Sequence, residues 1–259
     1  MVPWLSAAEA LRLHIALVED SLRLLRTAAA ESNATPFVSF SEPRSRGTRT
    51  EPGAIARAAA GMHRMAQRGA DLGARLLGTI RSLRARGFRR VVVIGSDSPT
   101  LSPAVVKAAF AALERETEVV LGPAEDGGYY LVGTTRVLPG MFEGIPWGTD
   151  RVLRATLQSL ARSGVRAFML PRWYDVDRPE DLERACRDLA DWPPGAPGPE
   201  STRAFVQALT RDGRLPRAGA SPAEPFSPPG SDRGGRPSDA PGGAPGRRAA
   251  GRRAASRRP

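Results

Sequence analysis

Arg90-Val91-Val92-Val93-Ile94-Gly95-Ser96-Asp97-Ser98-Pro99 is the stretch that decides the fold class. Four consecutive aliphatic residues, three of them Val, make a strand. Their lack of polar alternation predicts a strand covered on both faces, as in parallel sheets flanked by helices. Ligands of open α/β sheets bind beyond the carboxyl ends of strands. Asp97 stands at that end, with Pro99 stopping the strand. Two readings of Asp97 are open. Its carboxylate is placed to hold a Mg²⁺ ion against a diphosphate, or it forms an Asx-turn ahead of the proline.

Working outward, residues 7–30 carry Leu11, Ile15, Val18, Leu22 and Leu25 at helical spacing, started by a Ser6/Glu9 capping box. A strand is predicted over 36–40. Residues 41–61 are rich in Arg, Ser, Thr, Pro and Gly and define no element. Leu72, Leu76, Ile80 and Leu83 mark a helix that closes at Gly87 through a left-handed cap. Beyond the central strand, Ser102-Pro103 opens a helix burying Val106, Ala109, Phe110 and Leu113. Short strands are predicted at 119–121, 129–132 and 166–170, and helices at about 149–163 and 179–190. Strands alternating with helices predict a three-layer α/β/α sandwich with a mostly parallel sheet.

The chain has 259 residues, 41% hydrophobic and 25% charged, the composition of an ordinary globular protein. No apolar run approaches the ~20 residues of a membrane span. Charged residues interrupt the N-terminal apolar stretch, which argues against a secretory signal. The single cysteine, Cys186, excludes an internal disulfide and predicts a reducing, cytoplasmic setting. The net charge of +11 is uneven: about 12 arginines against 5 acids lie beyond residue 192. The expected organisation is a folded domain over 1–192, a linker over 193–212 with a short helix near 201–211, and a disordered Pro/Gly/Arg-rich tail over 213–259. The Arg-Arg repeats of 247–258 offer only weak, salt-sensitive nucleic-acid binding, without aromatics for stacking.

Three further segments carry chemistry. In Trp173-Tyr174-Asp175-Val176-Asp177-Arg178-Pro179-Glu180-Asp181, the carboxylates at i and i+2 of an extended segment face the same way, either one a second metal ligand. Against this, Asp177 with Glu180 also reads as a capping box. In Gly122-Pro123-Ala124-Glu125-Asp126-Gly127-Gly128-Tyr129-Tyr130, Glu125 and Asp126 are general-base candidates beside two glycines that permit close backbone approach. The same residues also read as a tight turn between two strands. Trp147-Gly148-Thr149 is either a substrate-facing wall or a buried Trp with Thr149 as helix cap. His14 and His63 have no partner pattern, and His14 is read as a packing or surface residue.

Together with Gln67-x-Gly69-x-Asp71-Leu72-Gly73 and Phe142-Glu143-Gly144-Ile145-Pro146-Trp147, these motifs resemble, over residues 3–192, one bacterial family of GT-A-fold transferases. That family is found near radical-SAM and selenium-associated genes and is labelled an arsenosugar-biosynthesis glycosyltransferase. It is similar to the molybdenum-cofactor and phospholactate nucleotidylyltransferases. The resemblance implies a nucleotide-diphospho-sugar transferase-like fold. It also implies Mg²⁺ or Mn²⁺ held by Asp97 and Asp177, and a nucleotide base near Gln67, Gly69 and Asp71. Glu125, Asp126, Gly127 and Gly128 then match the acceptor-side loop, with Tyr129, Trp147, Thr149 and Trp173 as substrate-binding residues. The donor is expected to be a nucleotide sugar or a nucleoside triphosphate, and the acceptor a small molecule.

This sequence departs from that family in three places. Ser98 stands where the family usually has Cys, the 41–66 loop is weakly matched, and a first strand with a basic loop is absent before Val2-Pro3-Trp4-Leu5-Ser6. The expected function is therefore metal-dependent glycosyl transfer, with two alternatives. One is nucleotidyl transfer of the molybdenum-cofactor guanylyltransferase type. The other is an inactive product of a wrong start codon, truncated at its N terminus.

Overall fold

The structure is a computed structural model of the full chain and describes residues 5–41, 53–115, 117–190, 192 and 198–215. The expected tail from 216 onward, with its Arg-Arg repeats, lies outside the described residues, as does the 42–52 part of the irregular loop.

Helices α1 (Ala7–Glu31), α2 (Gly53–Ala58), α3 (Leu72–Ala85), α4 (Pro103–Glu114), α5 (Val152–Arg162), α6 (Pro179–Ala190) and α7 (Glu200–Arg211) alternate with strands. The strands are β1 (Phe37–Ser41), β2 (His63–Gln67), β3 (Val91–Ile94), β4 (Val119–Pro123), β5 (Tyr129–Thr134) and β6 (Ala167–Met169). β1 and β2 pair in parallel as a sheet of two. The others form a sheet in the order β3-β5-β4-β6, with β4 and β6 parallel. β5 runs against both β3 and β4, so this sheet is mixed. The reversal comes from the β4–β5 hairpin, whose five-residue loop holds the Asp-Gly-Gly turn.

Helices cover both faces of the larger sheet. Val119 and Leu121 of β4 pack with Leu77, Ile80, Leu83 and Leu160 on one side. Val120 packs with Val105, Ala109 and Leu113 of α4 on the other. This is the period-two alternation of a strand buried between two helical layers. A separate apolar cluster joins α1 to α6 and α7 through Leu13, Leu17, Leu182, Leu189, Val206 and Leu209, and extends to Leu215.

The N-terminal helix differs from its expected stripe. Leu11 is exposed, and Leu13 and Leu17 are buried in its place. The helix has two apolar faces. One, of Ala10, Leu13 and Leu17, meets α6 and α7, and a second, of Val18, Leu22 and Leu25, meets α2 and β1. Asp20 is buried and accepts hydrogen bonds from the N–H groups of Ser201 (3.1 Å) and Thr202 (2.7 Å). It caps α7, which has no side-chain cap of its own. Leu72 is likewise exposed in α3, where Leu77 takes the core position. The left-handed closure expected at Gly87 is present, with φ of +92°, and Gly164 after α5 has φ +70°. Among the described residues, no helix is long and apolar enough to cross a membrane.

Candidate functional site

The site forms where the chain leaves β3, β4 and β6. After β6 the backbone continues alongside β4. Leu170 N–H donates to the Leu121 carbonyl (2.8 Å), Trp173 N–H to that of Pro123 (3.0 Å), and Glu125 N–H to that of Trp173 (2.9 Å). This ladder carries residues 173–177 past the hairpin loop. Val176 N–H then donates to the Asp97 carbonyl (2.8 Å), tying the segment to the end of β3.

As a result the charges of Asp126 and Asp177 act on Asp97, and those of Asp97, Asp126 and Asp177 act on Asp175. Burial, then the charges of Asp177 and Asp126, push the Asp97 carboxyl above its ordinary value, against a hydrogen bond from its own backbone N–H. Asp175 is pushed up to about 7, chiefly by burial, although the Ser98 hydroxyl donates to it at 2.5 Å. Ser98 at this position therefore holds a carboxylate in place. Gathered carboxylates that repel one another are a donor set of hard oxygens short of positive charge, and this fits Mg²⁺ or Mn²⁺. Among the described residues no three His, Cys, Asp or Glu side chains converge as ready-made ligands. Magnesium bound through one or two carboxylates and substrate phosphates needs no such triad.

Asp177 is freed for such a role. The expected Asp177/Glu180 capping box does not form, because Asp181 reaches back to accept from the N–H groups of Asp177 (3.2 Å) and Arg178 (2.8 Å). In the hairpin loop, Asp126 accepts from Gly128 N–H at 2.7 Å. Gly127 has φ +91°, and a Cβ there would lie 2.2 Å from the Asp150 carbonyl oxygen. Only glycine lets the loop close against that segment.

The structure places other expected residues in supporting positions. Glu125 is gripped by both of its oxygens by Arg184 (2.8 and 2.9 Å), and Arg184 stacks over the Tyr174 ring at 4.0 Å. Tyr129 packs into the core with its hydroxyl shut away from solvent. Trp147 meets Tyr129 edge-on, with ring centroids 6.1 Å apart, and lies against Gly73. Trp173 donates its indole N–H to Thr100 (3.1 Å). Thr149 binds the Pro146 carbonyl at 2.7 Å, and α5 starts three residues later. Asp71 caps α3 by accepting from Ala74 N–H (2.7 Å), and Gly69, at φ +150°, approaches Ala74 too closely to carry a side chain. Gln67 ends β2 and is hydrogen-bonded to Ser41 and to the Ser39 carbonyl.

His14, read from the sequence as a packing or surface residue, is exposed. On α1 it acts on Asp97, favouring the ionised carboxylate. It also lines a cavity of about 1190 Å³ that reaches Gly95, Ser96 and Gln67.

Comparison with known proteins supplies the context. A family profile described as "Uncharacterized protein conserved in bacteria (DUF2064)" matches residues 24–149. The crystal structure of a "putative nucleotide-diphospho-sugar transferase" from Desulfovibrio desulfuricans G20 aligns at 28% identity and TM-score 0.68. The alignment covers 79% of this chain and 84% of that one. A second structure, CMP:2-keto-3-deoxy-manno-octonic acid synthetase complexed with CTP, aligns at 14% identity and TM-score 0.42 over 63% of this chain and 84% of that one. That distance is too great to inform function. No curated protein matches the chain. The fold is thus the α/β fold of nucleotide-diphospho-sugar transferases of GT-A type.

Proposed function

We propose that the chain is a metal-dependent transferase that uses a nucleotide-activated donor, with glycosyl transfer to a small acceptor as its reaction. The observation that carries this reading is the raised carboxyl of Asp97 beyond the end of β3, on which burial and the charges of Asp177 and Asp126 act, with Val176 N–H tied to the Asp97 carbonyl. The likeness of the fold to that of the D. desulfuricans protein supports it. Asp97 and Asp177 would hold Mg²⁺ or Mn²⁺, which when bound neutralises the developing charge on a diphosphate leaving group.

The chain's own groups do the rest. Asp175, fixed by Ser98, adds negative charge that favours a cation in this pocket. Asp126 is oriented by Gly128 N–H and is the carboxylate of the hairpin loop available to accept a proton from an acceptor hydroxyl. Glu125, which shared that assignment on sequence, is neutralised by Arg184 and instead braces the loop against α6. Gln67, at the end of β2, is the residue offered to the nucleotide base, while Gly69 and Asp71 shape the turn into α3.

The test is a thermal-shift screen of nucleotide sugars and nucleoside triphosphates, with and without Mg²⁺. A donor at a hundred times its dissociation constant adds about 2.7 kcal/mol, a rise of several degrees for a domain of this size. That rise should depend on Mg²⁺ and vanish in Asp97→Asn. A metal-independent rise, or one kept in Asp97→Asn, would refute the metal assignment. A triphosphate that binds while every nucleotide sugar fails would point to nucleotidyl transfer.

A further inference from the structure

We propose that the wall built by α5 and β6 is a docking surface for an anionic lipid bilayer, on which the protein lies without spanning it. This inference is independent of the transferase reading. Between Asp150 and Asp175 the chain carries five arginines and no acidic residue. All five, Arg151, Arg154, Arg162, Arg166 and Arg172, are exposed. The first three fall at i, i+3 and i+11 along α5, with Gln158 at i+7. They share the helix face turned away from buried Val152, Thr156 and Leu160.

The helix ends in a tight reversal. Gly164 has φ +70°, and Val165 N–H donates to the Leu160 carbonyl at 3.0 Å. The chain re-enters as β6 directly after this turn, which sets Arg162 and Arg166 at one end of the wall. β6 is the outer strand of its sheet, paired among the described residues with β4 alone. On it Phe168 and Met169 are 45% and 40% exposed, two of the five large apolar side chains left in solvent among the described residues. The acid nearest in register is Glu118, which precedes Val119, the partner of Ala167. Arg136 binds it, so its charge is already answered.

The occupant must accept guanidinium groups and apolar side chains together. Lipid phosphates pair with arginine in bidentate fashion, and the boundary between headgroups and acyl chains takes up Phe and Met. A second copy would set these arginines against their own counterparts. A strand from another chain would meet a three-residue edge followed by Pro171, which has no N–H to give. A polynucleotide answers the arginines and leaves Met169 in water, with no ring to stack on a base. An acidic protein would need pockets for its anchoring side chains. Neither the cavity of about 1190 Å³ nor a smaller one of about 240 Å³ beside Trp192 draws a lining residue from this wall.

The test treats the full chain with phenylglyoxal, which modifies exposed arginines, and reads the modified sites by mass spectrometry. The probe is a vesicle of phosphatidylglycerol and phosphatidylcholine in equal parts, and its control is phosphatidylcholine alone. Modification of Arg154, Arg162 and Arg166 should slow about fivefold or more on the anionic vesicles only, while exposed Arg81 of α3 keeps its rate. Sedimentation with the same vesicles gives the affinity. One arginine near an anionic surface is worth about fivefold. The triple variant Arg154→Gln, Arg162→Gln, Arg166→Gln should therefore bind about a hundredfold more weakly. Arg247→Gln, Arg248→Gln, Arg252→Gln removes the same charge from the Arg-Arg repeats and should cost less than about tenfold. Phe168→Ser with Met169→Ser should abolish the binding that survives high salt. Equal weakening by the two triple variants would overturn the proposal, as would protection on neutral vesicles or none on anionic ones. So would equal protection by polyuridylate or polyglutamate at the same concentration of negative charge, which would make a nucleic acid or an acidic protein the partner.

Discussion

β1 and β4 are both five residues long, yet they live in different environments. All five residues of β4 are buried, and it is hydrogen-bonded on both edges, to β5 and β6. No residue of β1 is fully buried, and among the described residues its one strand partner is β2. The candidate site draws on both settings. Asp126, Asp175 and Asp177 hang from the sealed side, by the ladder that extends β4 and β6. Gln67, Gly95 and Ser96, the last next to Asp97 in the chain, border the open side. The difference teaches that the acidic half of the site is set by a rigid core, while the half nearest Gln67 rests on less buried strands.

The sharpest way to break this contrast is to cut a side chain from each strand. Leu121→Ala removes a fully buried residue of β4 and should cost about 2–5 kcal/mol. Phe40→Ala, at a position 38% exposed in β1, should cost less than about 1 kcal/mol. Urea denaturation of the two variants measures both, and comparable losses would mean that β1 is as well supported as β4.

A pair of glycines sharpens the contrast next. Gly61, which precedes β2, has φ +78° with nothing near a would-be Cβ, so Gly61→Ala pays only for its left-handed backbone, about 1–2 kcal/mol. Gly127→Ala pays that and also meets the Asp150 carbonyl, so it should destabilise more and displace the hairpin loop. If the two variants have equal melting temperatures, the loop is looser than its packing implies.

The smallest effect is electrostatic. With its carboxyl pushed up to about 7, Asp175 keeps a proton in the folded chain where the unfolded chain, at an ordinary 3.8, has lost it. Its contribution to stability is whole below about pH 4 and is lost as pH rises through 7. Metal-free protein should therefore lose melting temperature over that window, and Asp175→Asn should flatten the slope. The same ionisation should make Mg²⁺ binding stronger at pH 8 than at pH 5.5. A slope unchanged by Asp175→Asn would place the titration elsewhere.

Much of the sealed half was legible in the sequence. An unbroken Val91–Ile94 run has few alternatives to a covered strand, and the five motifs keep their order because the ladder from β4 and β6 fixes it. The open half was not. β2 reads His-Arg-Met-Ala-Gln, and with only Met65 buried it shows no period to detect. α2 has six residues, too few for a stripe. Glu125 and Asp126 are neighbours of equal promise in the sequence. Only the position of Arg184, 59 residues away, separates the brace from the candidate base. Asp20 acts on Ser201 and Thr202, groups distant in sequence, so no local spacing marks it.

One feature of the α6–α7 seam gives the molecule its own reporter. Cys186, the sole cysteine, is buried there with its sulfur 3.6 Å from the Thr210 hydroxyl. A thiol-reactive dye reaches that sulfur when the packing around it opens, the lifting of α7 included. The rate of labelling in wild-type protein thus reports opening of the α6–α7 seam without any engineered probe, and Asp20→Ala, which removes the cap of α7, should raise that rate.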